Sequence, residues 1–156
     1  MKREILDIPG VVEPASFYSK AAKAGPFLFV AGHTGKLPGT KRYATSLDDL
    51  PEDIANQLSS GDAHVDAVDG AILTQTWVAY TTIKKILEGA GSSLENILQA
   101  TVYLTDIRKN FVPFNRVRKM FIKSAPPSTV LQTPRLGLSD DILLEIAVIA
   151  LVPDEK

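Results

Sequence analysis

Apolar and polar positions along the chain follow two different periods. Between about 71 and 90, Ile72, Thr76, Ala79, Ile83, Leu87 and Ala90 recur at helical spacing and define one face of a helix, with Gly89 and Gly91 available to end it. Over 96–106 the period drops to two. Leu98, Ala100, Val102 and Leu104 point one way, and Gln99, Thr101, Tyr103 and Thr105 the other, which predicts a strand with two unlike faces. The helical period returns over 110–125, with Phe114, Val117 and Phe121 as the inner stripe, Asn110 as the predicted cap and Pro113 placed in the first turn. Ser92 and Glu95 of "SSLE" are spaced as a capping box for one short turn. "GPFLFVAG" (25–32), "PPSTVLQT" (126–133) and "DILLEIAVIALV" (141–152) read as strands, with room for another before the first.

Two helices interleaved with these strands predict an α+β layer pair: a mixed β-sheet with both helices packed on one face. No helix remains for the opposite face, which carries Gln99, Thr101 and Tyr103 together with Leu143, Glu145, Ala147, Ile149 and Leu151. That face is too apolar to be left wet, and another subunit is its natural cover. Between Lys36 and Gly70 the pattern breaks. Three basic and seven acidic residues, several breakers and room for one short helix near 50–58 mark a long acidic insertion, of the kind that serves as a functional lid or mobile loop.

Composition narrows the picture. The 156 residues are expected to form a single domain, 1–156. The absence of cysteine excludes disulfides, thiolate nucleophiles and cysteine-ligated metals. A formal net charge of −1 gives no field toward nucleic acid or an anionic membrane. The basic residues of the second helix, Lys109, Arg116, Arg118, Lys119 and Lys123, read as a solvated face. "MKREILDIPG" has no apolar run behind its basic residues, and no stretch approaches a membrane span. The expectation is a cytoplasmic protein with no membrane and no nucleic-acid partner.

Glu145 is the residue that asks for chemistry. It interrupts an aliphatic strand, where an unpaired carboxylate is strongly disfavoured. It is either at an edge that water reaches or held there for a task such as general base catalysis. His33 could titrate near neutrality or simply pack at a strand end. His64 has no metal-ligand spacing to His33, so no metal site is expected. Arg135 reads as a solvated loop charge.

An ordered set of strings then resembles a known family. "EPASFYSKAAKAG" (13–25), "FLFVAG" (27–32), "ILEGAGSSLENILQATVYLTDI" (86–107), "NFVPFN" (110–115), "APPST" (125–129) and "LEIAVIA" (144–150) together resemble the RidA/YjgF reactive-intermediate deaminases, whose members also carry the names endoribonuclease and translation inhibitor. The resemblance implies a chorismate-mutase-like fold, a barrel-like homotrimer and ligand clefts between subunits. It implies hydrolysis of small enamines or imines without a cofactor. Carried over position by position, it makes Glu145 the water-activating carboxylate and Tyr18 the cleft tyrosine. It places Gly32, Asn115, Ser128, Thr129 and Val130 around the ligand. Two positions depart from the family strings. Ser128 stands where an arginine grips the substrate carboxylate, and Ala31 stands where a serine precedes the glycine.

A serine offers one neutral hydroxyl where an arginine forks both carboxylate oxygens. The expected function is therefore deamination of a small enamine or imine whose identity the sequence leaves open. The alternative is a non-catalytic trimer of the same fold that binds a small metabolite. A ribonuclease reading rests on family naming alone, since neither histidine has an identifiable partner.

Overall fold

A computed structural model of the chain describes residues 2–59, 70–137 and 139–153. Six strands, β1 (Arg3–Leu6), β2 (Ala21–Ala24), β3 (Phe27–His33), β4 (Ile97–Leu104), β5 (Ser128–Gln132) and β6 (Leu144–Leu151), form one mixed sheet in the order β1-β2-β3-β6-β4-β5. Every neighbouring pair is antiparallel except β4 and β5, whose parallel pairing needs a crossover. Helix α3 (Ile107–Phe121) supplies it. The last strand thus enters the middle of the sheet, between β3 and β4.

Alternation along β6 separates the two faces. Leu144, Ile146, Val148 and Ala150 are buried, while Glu145, Ala147, Ile149 and Leu151 point the other way and are only partly covered. The buried set meets Leu28 and Val30 of β3, Ala100, Val102 and Leu104 of β4, and helix α2 (Gly70–Gly89). Fully burying one such aliphatic side chain stabilises the fold by about 1.5–3 kcal/mol. The open face carries Phe27, Phe29 and Leu131, each at least 40% exposed. Phe29 lies opposite Ile149 and Phe27 opposite Leu151, so the exposed apolar groups are neighbours rather than scattered.

The expected face of α2 is buried, but so is most of its circumference, including Leu73, Thr74, Gln75 and Val78. The reason is the insertion. Its helix α1 (Glu52–Ser59) packs Leu58 against Leu73 of α2 and Val117 of α3, with Leu47, Leu50, Ile54, Trp77 and Met120 around them. Arg116 of α3 donates to the Leu58 carbonyl at 2.6 Å and fixes the end of α1. Helices α2 and α3 cover the sheet, and the short helix expected near 50–58 packs against them. Residues 47–59 thicken this helical layer rather than folding over the sheet. The remainder of the insertion, 60–69 with His64, lies outside the described residues.

Three local expectations need correction. Helix α3 starts at Ile107, because Asp106 is extended and its carboxylate accepts from the Lys109 N–H at 3.1 Å, a side-chain cap. Asn110 is then buried inside the helix, and Pro113 lies in the second turn rather than the first. Leu98 is 38% exposed because the β4–β6 register shifts between Ile97 and Gln99, so Ile97 takes the inward place. The short turn Leu94–Asn96 has Ser93 at its N-cap position without a side-chain capping bond, and Ser92 donates instead to the Leu151 carbonyl.

Candidate functional site

The site forms where β3 ends beside the start of β6. The β3–β6 register shifts between Val30 and His33, and Gly32 falls inside that irregularity. A β-carbon on Gly32 would lie 2.0 Å from Glu145 Oε1 and 2.6 Å from its carboxyl carbon. Only glycine lets the carboxylate lie this close to the backbone of β3. On its other side Glu145 faces Tyr103 of β4, directly opposite in the ladder. The side chain is partly buried, and this desolvation pushes its carboxyl above the ordinary glutamate range.

Glu145 borders a cleft of about 540 Å³. Glu13, Tyr18, His33, Lys36 and Tyr43 lie on the walls around it, with Gly32 beneath the carboxylate. The 12–18 wall is stapled by Lys20, which is only 4% exposed. Its ammonium donates to Glu13 at 2.7 Å, to Asp7 at 3.1 Å and to the Ile8 carbonyl at 3.1 Å. The hydrogen bond that Lys20 donates to Glu13 leads the effects that raise the Lys20 pKa, and Asp7 adds to them. Tyr18 projects from this wall half exposed, with its hydroxyl 3.4 Å from the Ala15 N–H.

The opposite wall is a small β-hairpin within the segment expected to be loop. Lys36 pairs with Tyr43, Leu37 N–H donates to the Arg42 carbonyl at 3.0 Å and Ala44 N–H to the Gly35 carbonyl at 2.9 Å. The signal was present in Pro38-Gly39, a turn dipeptide, and Gly39 adopts φ +70°. Burial, and secondarily the Tyr18 phenol, raise the Tyr43 pKa. Arg42 of this hairpin is engaged by Asp49 at 3.0 Å. Among the described residues Lys36 has no carboxylate or hydrogen-bond partner for its ammonium.

His33 sits deeper. Desolvation lowers its pKa to about 4, against a smaller opposing effect from a hydrogen bond to the Lys20 backbone. Its Nε2 is buried without a hydrogen-bond partner. The ring is thus neutral at physiological pH and closed off from solvent at Nε2.

The structure brings Tyr18, Gly32 and Glu145 together and leaves the other expected ligand residues elsewhere. Asn115 is partly exposed on α3. Ser128, Thr129 and Val130 lie on β5, the edge strand, with β4 between them and β6. Ser128 Oγ is 3.4 Å from Arg118 Nη1, and that guanidinium also stands 5.9 Å over the Phe114 ring. Arg135 pairs with Asp140 at 2.9 Å on the surface. Among the described residues, no group of three or more histidine, aspartate or glutamate side chains is placed to hold a metal ion. No described helix is long and apolar enough to cross a membrane.

Comparison with known proteins follows this geometry. The profile of the family described as endoribonuclease L-PSP matches residues 10–152. The chain belongs to that family. A RutC family protein of Pyrococcus horikoshii is 32% identical to the L-PSP chain over 149 residues, covering 95% of this chain and 97% of the relative. A protein of Capra hircus named 2-iminobutanoate/2-iminopropanoate deaminase is 35% identical over 75 residues, 48% of this chain and 54% of that protein. The crystal structure of yeast Mmf1 superposes with a TM-score of 0.74 at 24% identity, covering 96% of this chain and 98% of that one. Escherichia coli TdcF with bound serine superposes with a TM-score of 0.71 at 22% identity, over 95% and 98%. These last two likenesses establish the shared L-PSP fold.

Proposed function

We propose that this L-PSP chain is a hydrolase that deaminates a small enamine or imine, with Glu145 as its working group. The observation that carries the reading is the carboxylate itself. It is partly desolvated, shifted toward neutrality, pressed against a glycine and set on the edge of a ligand-sized cleft. A group with a raised pKa is suited to taking and returning a proton near working pH. The deaminase name of the Capra hircus relative supports the same chemistry.

In the reaction an enamine first takes a solvent proton on its β-carbon and becomes the protonated imine, an iminium ion. Glu145 accepts a proton from water as the water oxygen bonds to the imine carbon, and the π pair moves to nitrogen. The protonated carboxyl then returns its proton to the amine nitrogen of the carbinolamine. The C–N bond breaks, ammonia leaves and the carbonyl forms, its hydroxyl proton returning to solvent. Tyr18 and Tyr43 offer hydroxyls to a bound ligand, and Lys36 offers an ammonium with no carboxylate partner among the described residues. That ammonium favours a ligand with an anionic end, which Ser128 alone would hold weakly.

The reading includes assembly into a homotrimer. Phe27, Phe29 and Leu131 form an apolar face too large for a solvated monomer, and Phe17, beside the cleft residue Tyr18 in sequence, is wholly exposed. A second copy against that face would also explain why Asn115 and residues 128–130 stand outside the cleft of a single chain: each would serve a neighbour's site.

The test is ammonia release by the purified protein from 2-aminoacrylate generated in situ, with a 2-aminomuconate-type substrate beside it. Release above the uncatalysed rate, lost in Glu145→Gln, is the expected result. Full activity in Glu145→Gln removes that residue from the mechanism. The Ser128 departure favours a second reading, a trimer that binds a metabolite without turning it over. Ligand-induced stabilisation with no product formed would select it.

A further inference from the structure

Gln75 is a fully buried polar residue on α2, at a position where a helix of this kind ordinarily carries an aliphatic side chain. Its amide is not merely accommodated. Nε2 donates to the Ala44 carbonyl at 2.9 Å and to the Asp141 carbonyl at 2.6 Å, while Oε1 accepts from the Leu143 N–H at 2.9 Å. A third segment presses on the same side chain. A β-carbon on Gly35 would lie 2.3–2.5 Å from Gln75 Cγ, Cβ and Cα, so the chain just after β3 runs directly over it.

All these segments lead into walls of the Glu145 cleft. Leu143 precedes Glu145 by two residues, Ile142 lines the cleft, and Ala44 follows Tyr43 in the hairpin. Gly35 separates Lys36 from the strand that carries Gly32. Leu143 is held on its other side by β4, through the Thr105 N–H at 3.0 Å to its carbonyl. Thr74 also reaches the insertion, its hydroxyl lying between the Gly70 carbonyl of its own helix at 2.8 Å and the Ser46 carbonyl at 3.0 Å. By contrast Thr76 bonds only within its own helix, to the Ile72 carbonyl at 2.6 Å. Among the described residues Gln75 is therefore the one side chain that binds both the hairpin wall and the segment that delivers the carboxylate.

We propose that Gln75 is a positioning residue of the site: it fixes the spacing between Glu145 on β6 and the hairpin wall that carries Lys36 and Tyr43. A buried amide with its donors and acceptor engaged holds its partners in one geometry, because releasing any of them leaves a buried group unsatisfied. An apolar side chain of equal size would fill the space and leave the two walls free to shift. The catalytic consequence rests on the function proposed for Glu145; the positional claim can be read without turnover.

The experiment compares the full chain with Gln75→Met and Thr76→Val, following the Glu145 carboxyl by carbon NMR through a pH titration. Both variants lose a buried hydrogen-bonding group from α2. Expected in Gln75→Met is a shift of the Glu145 midpoint by about half a pH unit or more, since its desolvation depends on wall spacing. Thr76→Val keeps the original midpoint. With a turned-over substrate, kcat falls at least about tenfold in Gln75→Met. A folded Gln75→Met protein with an unmoved Glu145 midpoint overturns the proposal. If that variant does not fold, hydrogen exchange of the unaltered protein decides. The Leu143 amide is expected to exchange as slowly as Val148 in the core strand, and exchange at loop rates overturns the proposal. Absence of ammonia release from every substrate would defeat the enzymatic reading while a shifted midpoint left the positioning role standing.

Discussion

Gly32 and Glu145 are in such close approach that a single methyl group on the glycine would displace the carboxylate. A β-carbon on Gly32 would lie 2.0 Å from Oε1, well inside contact distance. The obstructing atoms are the end of a flexible, partly exposed side chain, so the carboxylate yields rather than the backbone. Gly32→Ala is therefore expected to retain its fold, with a melting temperature within a few degrees of the parent. Its deaminase kcat is expected to fall about 100-fold or more, the scale of a misplaced general base. Paired melting and ammonia-release measurements check this, and undiminished turnover would show that the carboxylate does not act from that position.

Glu145→Gln separates stability from function. Burial raises the Glu145 pKa in the folded state above the free value of 4.5. The folded chain therefore holds its proton to higher pH than the unfolded chain does. Stability is lost as pH rises from about the free value through the folded one, and the deficit persists above it. A neutral amide escapes that deficit. Glu145→Gln is expected to be more stable than the parent at pH 7, with the advantage vanishing below the free value, while activity is abolished. Urea denaturation at several pH values reads the sign directly.

His33 predicts the opposite slope. Its pKa falls from 6.5 unfolded to about 4 folded. The unfolded chain takes up the proton first on acidification, so stability is full above 6.5 and declines until about pH 4. The shift corresponds to at most roughly 3 kcal/mol. His33→Gln should flatten the pH dependence of stability across that window. An unchanged slope in denaturant titrations would place the ring in water.

Lys20 is expected to hold one wall of the cleft. Lys20→Met keeps the buried stem but loses the contacts to Asp7, Glu13 and the Ile8 carbonyl, a loss of about 1–3 kcal/mol. The raised pKa of Lys20 means its contribution is complete below 10.5 and disappears as pH climbs through the folded value. Alkaline destabilisation of the parent should therefore be weaker in the variant. Faster proteolysis within 12–18 at neutral pH would report the loosened wall.

The open sheet face bears on assembly. Phe29 is 46% exposed and lies opposite Ile149. Phe29→Lys sets a charge in that patch without entering the core, so each chain should fold. Light scattering is expected to show a trimer for the parent and a smaller species for the variant. A monomeric parent would dismiss the shared-cleft reading of residues 128–130.

Much of the fold is legible because it is local. The helical period of α2, the two-residue alternation of β4 and the aliphatic run of β6 each follow from neighbouring residues. Glu145 announced itself by breaking such a run. The Lys36–Tyr43 hairpin escaped notice because its strands are bridged at a single pair and its composition is that of a loop. The cap of α3 was misplaced because Asn110 and Asp106 are equally good cap residues in sequence. Only the extended backbone at Asp106 and the strand before it choose between them.

The sequence by itself determined the layers: which segments are helix and which are strand, which face of each is apolar, and that one carboxylate lies among aliphatic neighbours. Tertiary structure decided what that carboxylate touches. Its position depends on β6 entering between β3 and β4, on Gly32 from far earlier in the chain, and on the amide of Gln75 reaching two backbone segments. Periodicity measures only the spacing of near neighbours. Contacts between distant segments are set by how the whole sheet closes, and the chemistry of Glu145 is a property of those contacts.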